Sequence, residues 1–537
     1  MERSDVLNIR NGPFRNSYWQ SALSGFWACR YFVLRRHSSL NSTMNDKIQS
    51  HWPITLTSGA AALINLFLPL VLVRILSPDQ VGRYSIFFLY VTLSSGLLMV
   101  SGLSNGLYYW TGKYPEAKTE VRQSWTLLLG ITFTLCAIGL VFAERLAPLV
   151  KISNLDLRLL LLSAPFNLGS FYMEDLMIAR GDIWTGSWYS SGCSVLRTMS
   201  LLAAAWRTRD VESMLWVFFV VSLVRLSIGW FLLHRTRELR FIFSWEKTKN
   251  VLRYALPLST AMLSSLMFQN VDQMILSFRL SPTEFAFYSM GCLAIPPLLS
   301  LEMSVNRLLI PRLSLAFANE EYTRATTLFS EAVSELFRFL LPAAVGLMIY
   351  SQPIVWILFT DRYLAAAHFL RIYALLYIFL SLPFDVVARA RGDGSWILRT
   401  SLRIAPLSTL ATCLAVTHWG AMGALLTFLA TQLMLRLYSL IYQRRCFGVA
   451  YANFLPLQEI LVETKWALFA TAGSFLLRPL FSDPRVWFLV TGPIFVVIYF
   501  GGTFAVHLKR ASSLAVIFQS IWKSGSRGDV GANEEVA

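Results

Sequence analysis

Apolar residues run along this chain in blocks of roughly 16 to 24, each closed by charges, Pro or Gly, and the blocks recur from residue 54 to residue 506. A helix rises 1.5 Å per residue, so about 20 apolar residues cross the ~30 Å hydrocarbon core of a bilayer. Six blocks lie at 54–76, 84–107, 124–143, 157–179, 184–206 and 214–234. Six more lie at 256–278, 285–305, 336–359, 369–387, 401–417 and 420–442, and a last pair at 466–481 and 486–506. The pattern predicts an all-α integral membrane protein of about 14 transmembrane helices. It divides the chain into a basic N-terminal segment (1–53), a first lobe of six helices (54–234), a basic linker (235–255) and a second lobe of six helices (256–442). The last two helices with their connecting loop (443–506) and a tail (507–537) follow.

Composition agrees. Of 537 residues 55% are hydrophobic and 15% charged, with a mean hydropathy of +0.52, against about 25% charged in soluble domains. One large soluble core is excluded as well, because single cores stop growing near ~250–300 residues. The net charge of +16 would suit a nucleic-acid partner, but Lys and Arg sit in short segments between apolar blocks rather than on a separable domain. Their placement reads as topology, with no nucleic acid implied. With both termini inside, the cytoplasmic segments hold 32 Lys or Arg and the outer loops 12, the bias of the positive-inside rule. The remaining basic residues, Arg197, Arg225 and Arg436, fall inside blocks, where each costs roughly 2.5–3.5 kcal/mol at mid-membrane.

The six cysteines form no C-x-x-C pair and the six histidines no ligand spacing, so neither a metal nor a cofactor is expected, and the thiols read as buried and free. No Gly-rich phosphate cradle or nucleophile motif is present, and no outer loop is long enough to carry catalytic chemistry, so an enzyme is not expected. The apolar run at 26–34 is interrupted by Arg30 and is no secretory signal. Met44, ten residues before the first block, is a second candidate for the start of translation.

The segment Leu76-Ser77-Pro78-Asp79-Gln80-Val81-Gly82-Arg83-Tyr84-Ser85 returns 204 residues later as Leu280-Ser281-Pro282-Thr283-Glu284-Phe285-Ala286-Phe287-Tyr288-Ser289. Ser-Pro followed by an acid or amide suits a tight turn that starts a helix. Both copies follow the first block of a six-block group, which predicts two pseudo-symmetric lobes in parallel repeat, a design that binds cargo between lobes.

The stretch from Arg74 through Tyr84 resembles the signature after the first helix of the bacterial polysaccharide flippases, the polysaccharide branch of the multidrug, oligosaccharidyl-lipid and polysaccharide exporter superfamily. Leu252-Arg253-Tyr254-Ala255-Leu256-Pro257-Leu258, then Asn270-Val271-Asp272-Gln273-Met274-Ile275-Leu276, Tyr288-Ser289, Pro311-Arg312-Leu313-Ser314 and Gly346-Leu347 follow that family's seventh to ninth helices in order and spacing. The resemblance implies two V-shaped lobes around a lumen, alternating access, and an isoprenoid-pyrophosphate-linked oligosaccharide or polysaccharide repeat unit as cargo, moved across the bacterial inner membrane. It further implies membrane lipids, a coupling H+ or Na+, and polysaccharide polymerase machinery as partners. This chain departs from the family with Ala286 where Gly is frequent and Gln273 where a cation commonly follows the Asp. The rival reading is a cation-coupled multidrug antiporter of the same superfamily, whose usual twelve-helix build lacks the last pair.

Such cargo needs cations and hydrogen-bond donors within the membrane. Arg197 and Arg225 are candidates to grip a phosphate, or else to pair with a carboxylate. Asp272, with Asn270 beside it, sits near mid-block in the seventh helix, and Asn65 at comparable depth in the first. Asp272 is a candidate for a proton or sodium site, or for an anchor to Arg279 or another helix. The stretch 320–337 reads as an amphipathic helix on the membrane surface, with Ala325, Leu328, Phe329, Leu336 and Phe337 toward lipid.

Overall fold

The structure is a computed structural model that describes residues 52–98, 100–113, 118–150, 152–234, 241 and 243–507. The expectations on the N-terminal segment, Cys29, Met44 and the tail lie outside these residues. Among the described residues all regular structure is helical and no strand occurs.

Residues 52–234 form α1 (Trp52–Ile75), α2 (Pro78–Leu97), α3 (Val100–Lys113), α4 (Lys118–Val141), the short α5 (Ala143–Val150), α6 (Asn154–Ala179), α7 (Ile183–Thr208) and α8 (Val211–Leu233). After the linker come α9 (Trp245–Arg279), α10 (Pro282–Gly291), α11 (Pro296–Ala318), α12 (Tyr322–Ile349), α13 (Ser351–Phe359), α14 (Ala366–Tyr373), α15 (Leu375–Leu380), α16 (Val386–Ala390) and α17 (Gly394–Phe447). The described residues end with α18 (Tyr451–Phe454), α19 (Leu457–Leu476) and α20 (Pro484–His507). Among the described residues six helices are long and apolar enough to cross a membrane, or eight when the bent pairs α2–α3 and α10–α11 each count as one span. The protein is therefore a multi-pass membrane protein.

Several predicted blocks map onto broken helices for local reasons. The α10–α11 pair bends by 51° where Pro296 and Pro297 open a new helix, since neither offers an N–H to continue the old one. The 54-residue α17 is two helices: Gly420 has φ 54° and ψ −137°, a conformation only glycine adopts without strain. Ser408 Oγ lies 2.9 Å from Thr431 Oγ1, whereas 23 residues of unbroken helix would separate them by about 35 Å. The chain thus folds back at Gly420, between the blocks predicted at 401–417 and 420–442.

The repeat is visible in three dimensions. Ser77 and Ser281 each cap a helix through a full capping box, closed by Gln80 and Glu284, with Pro78 and Pro282 in the first turn. The two copies also pack on one another, α2 against α10, around a shared apolar core that joins Val81 and Phe87 to Ala286 and Met290. Ser289 Oγ donates to Ser85 Oγ at 3.3 Å, between positions 204 apart. A residue that bonds its own counterpart lies on the axis relating the copies, so a local two-fold passes between these serines. At Gly82 a Cβ would overlap the Pro282 carbonyl, which is why the closest approach falls on a glycine. Away from this end the bent pairs part: α3 packs on α4, α6 and α9, while α11 packs on α12 and α16.

One expectation is corrected. Residues 322–349 form a single helix, and Ala325, Phe329, Leu336 and Phe337 are buried inside the protein, not turned to lipid. Their partners include Phe447, Phe454, Tyr499 and other residues that arrive from far along the chain. An apolar helical stripe serves lipid and protein equally, so its period alone does not choose.

The last two helices are fastened to α12 and α13. At one end Glu463, fully buried, accepts from Arg338 Nε at 3.3 Å and from the Tyr499 hydroxyl. At the other, Tyr350 donates to Ser474 or Thr491 at 2.8 and 3.0 Å, and Trp487 Nε1 donates to the Ser474 carbonyl at 2.9 Å. Glu463→Ala removes the carboxylate that Arg338 hydrogen-bonds and leaves it only Glu335 nearby, with an expected cost of about 3 kcal/mol. Thermal unfolding in detergent should show a clear drop in midpoint, and an unchanged midpoint would mean water already neutralises the pair.

Candidate functional site

Arg197 projects from α7, a helix capped at Asp182, whose carboxylate accepts from the Thr185 amide at 3.3 Å. Asn65 of α1 holds the same stretch, donating to Ser194 Oγ at 3.0 Å and accepting from Thr198 Oγ1 at 2.6 Å. These bonds fix α1 on α7 one turn before Arg197 and at the residue after it. The guanidinium is half-buried, and it makes no hydrogen bond or ion pair among the described residues. Its electrostatic neighbours are Tyr84 and Arg225, with no carboxylate among them. A cation left without a counter-ion at this depth is costly, and an anionic ligand would supply what the protein does not.

Arg225 is different. It is buried on α8 and donates to Glu174 of α6 at 2.7 Å. Its guanidinium lies 4.2 Å from the Phe171 ring centroid, and Tyr189 of α7 donates to its backbone carbonyl at 2.8 Å. Arg225 thus ties α6, α7 and α8 together with its charge already matched. The next residue, Asp175, accepts from Tyr108 of α3 at 3.1 Å. Sequence reasoning missed this pair of acids, although Glu174-Asp175 inside an apolar block was a legible signal, because a charge inside a span asks for a partner. Arg436 is likewise satisfied, donating to Gln432 at 2.8 Å and to the Phe379 carbonyl at 3.3 Å.

In the second half Asp272 is buried on α9 and accepts from the Tyr288 hydroxyl at 2.5 Å, while its Oδ1 has no partner among the described residues. No cation is among the groups acting on it; the proposed anchor to Arg279 is not formed. Asn270 turns back on its own helix, donating to the Leu266 carbonyl at 3.0 Å. Asn65, Asn270 and Asp272 share no hydrogen-bond partner: Asn65 bonds α7, Asn270 its own helix and Asp272 the Tyr288 hydroxyl of α10.

The repeat gives these charges a relation that neither lobe shows by itself. Tyr84 and Tyr288 occupy the same position in the two copies, yet Tyr84 stands near the cation Arg197 and Tyr288 bonds the carboxyl of Asp272. Arg83, one residue earlier, clamps Asp156 through Nε and Nη2 at 3.1 and 2.9 Å and reaches Glu212 at 3.2 Å, fastening the starts of α6 and α8 to α2. A Phe occupies the corresponding place at 287. The lobes share a frame and differ in charge.

Two cavities are prominent. One, about 490 Å3, is apolar and runs between α7 and α8 along Leu196, Ser200, Ala203, Val217, Val220 and Val224. The other, about 570 Å3, lies at the end opposite the repeat, where α3, α4 and α9 meet. There Lys247 donates to Glu120 at 2.8 Å, a bond that holds its ammonium above the ordinary lysine range. Among the described residues no group of His, Cys, Asp and Glu is arranged to hold a metal.

A family model described as "Polysaccharide biosynthesis protein" matches residues 71–368, more than half of the chain. No protein of curated function matches the sequence. Among solved structures, "Lipid II flippase MurJ, inward closed conformation" is 14% identical over 85% of this chain and 99% of its own, with a TM-score of 0.69. An inward-facing multidrug resistance MATE family transporter of the MOP superfamily is 14% identical over 72% of this chain and 94% of its own, with a TM-score of 0.55. At these identities the likeness shows the fold, an all-helical membrane fold of the class that the apolar blocks predicted. The chain belongs to the polysaccharide biosynthesis protein family, built on the membrane transporter fold shared by lipid flippases and MATE transporters.

Proposed function

We propose that the protein is a flippase that moves an isoprenoid-pyrophosphate-linked oligosaccharide across the bacterial inner membrane by alternating access between lobes 54–234 and 256–442. The observation that carries this reading is Arg197, a half-buried guanidinium that has no counter-ion among the described residues and whose neighbours there are another cation and a tyrosine. A pyrophosphate meets that demand with a forked, charge-assisted hydrogen bond. The apolar groove that begins at the adjacent Leu196 and Ser200 offers a wall for a prenyl chain beside the phosphate. On this reading the repeat end faces outward and is shut, and both termini are cytoplasmic.

Asp272 is the coupling site in this scheme. A buried carboxyl with one unpartnered oxygen and no cation nearby has room for a proton or a sodium ion, and its loading alters the α9–α10 contact through Tyr288. The multidrug antiporter is the second reading: Glu174 and Asp175 on α6 supply the acids that organic cations prefer.

One assay separates the two. Purified protein in vesicles is expected to translocate a fluorescent polyprenyl-pyrophosphate disaccharide and not a lipophilic cation dye. Depletion in cells should leave the lipid-linked unit on the cytoplasmic face. Asp272→Asn should retain slow movement of the lipid but lose its dependence on a proton or sodium gradient. Dye movement without lipid movement would transfer the protein to the antiporter reading.

A further inference from the structure

The cavity of about 570 Å3 at the end opposite the repeat is lined by groups that no role above uses. Its aromatic wall is Trp110, buried, with Tyr109 and Tyr254 stacked at 4.5 Å and 13°. Its polar side comes from Glu120 of α4 and from the first turns of α9: Lys247, Asn250 and Arg253. Lys247 is already paired with Glu120. Arg253 is exposed and forms no ion pair or hydrogen bond among the described residues, so the cavity carries one uncommitted guanidinium.

Its place in the fold matters as much as its lining. The segment leading into α9 exposes Phe241, Phe243 and Trp245 at 64%, 69% and 75%. Exposed aromatics of this kind settle at the boundary between headgroups and hydrocarbon. The cavity therefore opens at headgroup depth, and on the side richer in Lys and Arg. It also straddles the two halves of the chain, because α3 and α4 precede the linker and α9 follows it. The linker is held to the first half beside it: Gln123 donates to Thr248 Oγ1 at 2.7 Å and accepts from the Ser244 amide at 3.1 Å.

We propose that this cavity is a docking site for a phosphate-bearing lipid headgroup, in which Arg253 and Lys247 hold the phosphate, Asn250 hydrogen-bonds an attached sugar, and Tyr109, Trp110 and Tyr254 form its apolar wall. Resting on the flippase reading, it is the station where the pyrophosphate-linked sugar waits before passing between the lobes. An anionic phospholipid shares the phosphate chemistry but has no sugar to place against Asn250 and the rings. Basic pockets between helices at the cytoplasmic boundary commonly take such headgroups.

The test uses full-length protein in zwitterionic nanodiscs, titrated separately with a polyprenyl-pyrophosphate disaccharide, with phosphatidylglycerol and with inorganic pyrophosphate. Arg253→Gln should weaken binding of the disaccharide lipid by about tenfold, the loss of one charge-assisted contact, and raise KM for its transport by a similar factor with kcat unchanged. Lys249→Gln, on the same turns but outside the cavity, should change neither. Unchanged binding in Arg253→Gln overturns the site, and so does an equal loss in Lys249→Gln, which would mean a diffuse field. Equal affinity for phosphatidylglycerol overturns the sugar-lipid assignment in favour of a structural lipid. If wild-type protein binds the disaccharide lipid through Arg253 yet moves none of it, the site stands and the flippase reading falls.

Discussion

Replacing Arg197 by Gln is expected to cut transport of a pyrophosphate-linked sugar by roughly 10- to 100-fold while leaving the protein folded. The size follows from the loss of a hydrogen bond to a charged group, about 1.5–3 kcal/mol. The fold should survive because Arg197 supports nothing: among the described residues it has no bonded partner, and α7 keeps its place through Asn65, Ser194 and Thr198. Arg197→Lys keeps the charge but loses the planar fork, so it should fall between the two. Arg225 makes an instructive contrast. Its substitution strands the half-buried Glu174, so lost activity there would report a damaged N-terminal lobe rather than lost cargo contact. Translocation rates in vesicles at matched thermal stability decide the matter, and wild-type rates in Arg197→Gln would remove the anion site from the lumen.

The second large effect concerns the shut end. With Ser85→Cys and Ser289→Cys combined, oxidation should cross-link the two repeat copies, whose hydroxyl oxygens stand 3.3 Å apart. Alternating access requires this junction to open, so the oxidised protein should lose nearly all transport and regain it on reduction. Gly82→Ala approaches the same point from the other side. An added methyl overlaps the Pro282 backbone, an overpacking that costs about 1–3 kcal/mol. It should favour whichever state holds the copies apart, read as greater reactivity of a single cysteine at position 289. Full transport by the cross-linked protein would show that α2 and α10 stay together throughout the cycle.

The repeat shows how much a sequence carries. Ser77-Pro78 and Ser281-Pro282 announced helix starts because capping is local: hydroxyl, proline and the acid or amide at the third helical position lie within four residues. The break at Gly420 falls at the first residue of the block predicted at 420–442, so the division of this stretch into two helices was legible. What the repeat copies do to each other was not legible. Nothing in the motif says that Ser85 meets Ser289 rather than lipid, since that depends on where two separate helices cross.

Charged residues divide along the same line. Cost marked Arg197, Arg225 and Asp272 as requiring an explanation, because an ion in hydrocarbon is expensive wherever it falls. Their partners came from elsewhere: Glu174 lies 51 positions before Arg225, and Tyr288 meets Asp272 only because α10 turns back on α9. A helix also has two or three apolar faces available to lipid or protein, so the stripe at 322–337 was placed on the wrong neighbour until Phe447, Phe454 and Tyr499 arrived to cover it.

By itself, then, the order of residues determined the solvent, the helical class, the repeat and the helix ends, all of which follow from periods and spacings within one turn or one membrane thickness. Tertiary structure alone decided which arginine is neutralised and which has no bonded partner among the described residues, where the two copies touch, and that α3, α4 and α9 enclose a cavity. The physical reason is that electrostatic pairing and packing fall off within a few ångströms, and residues that close in space are separated by tens to hundreds of positions along the chain.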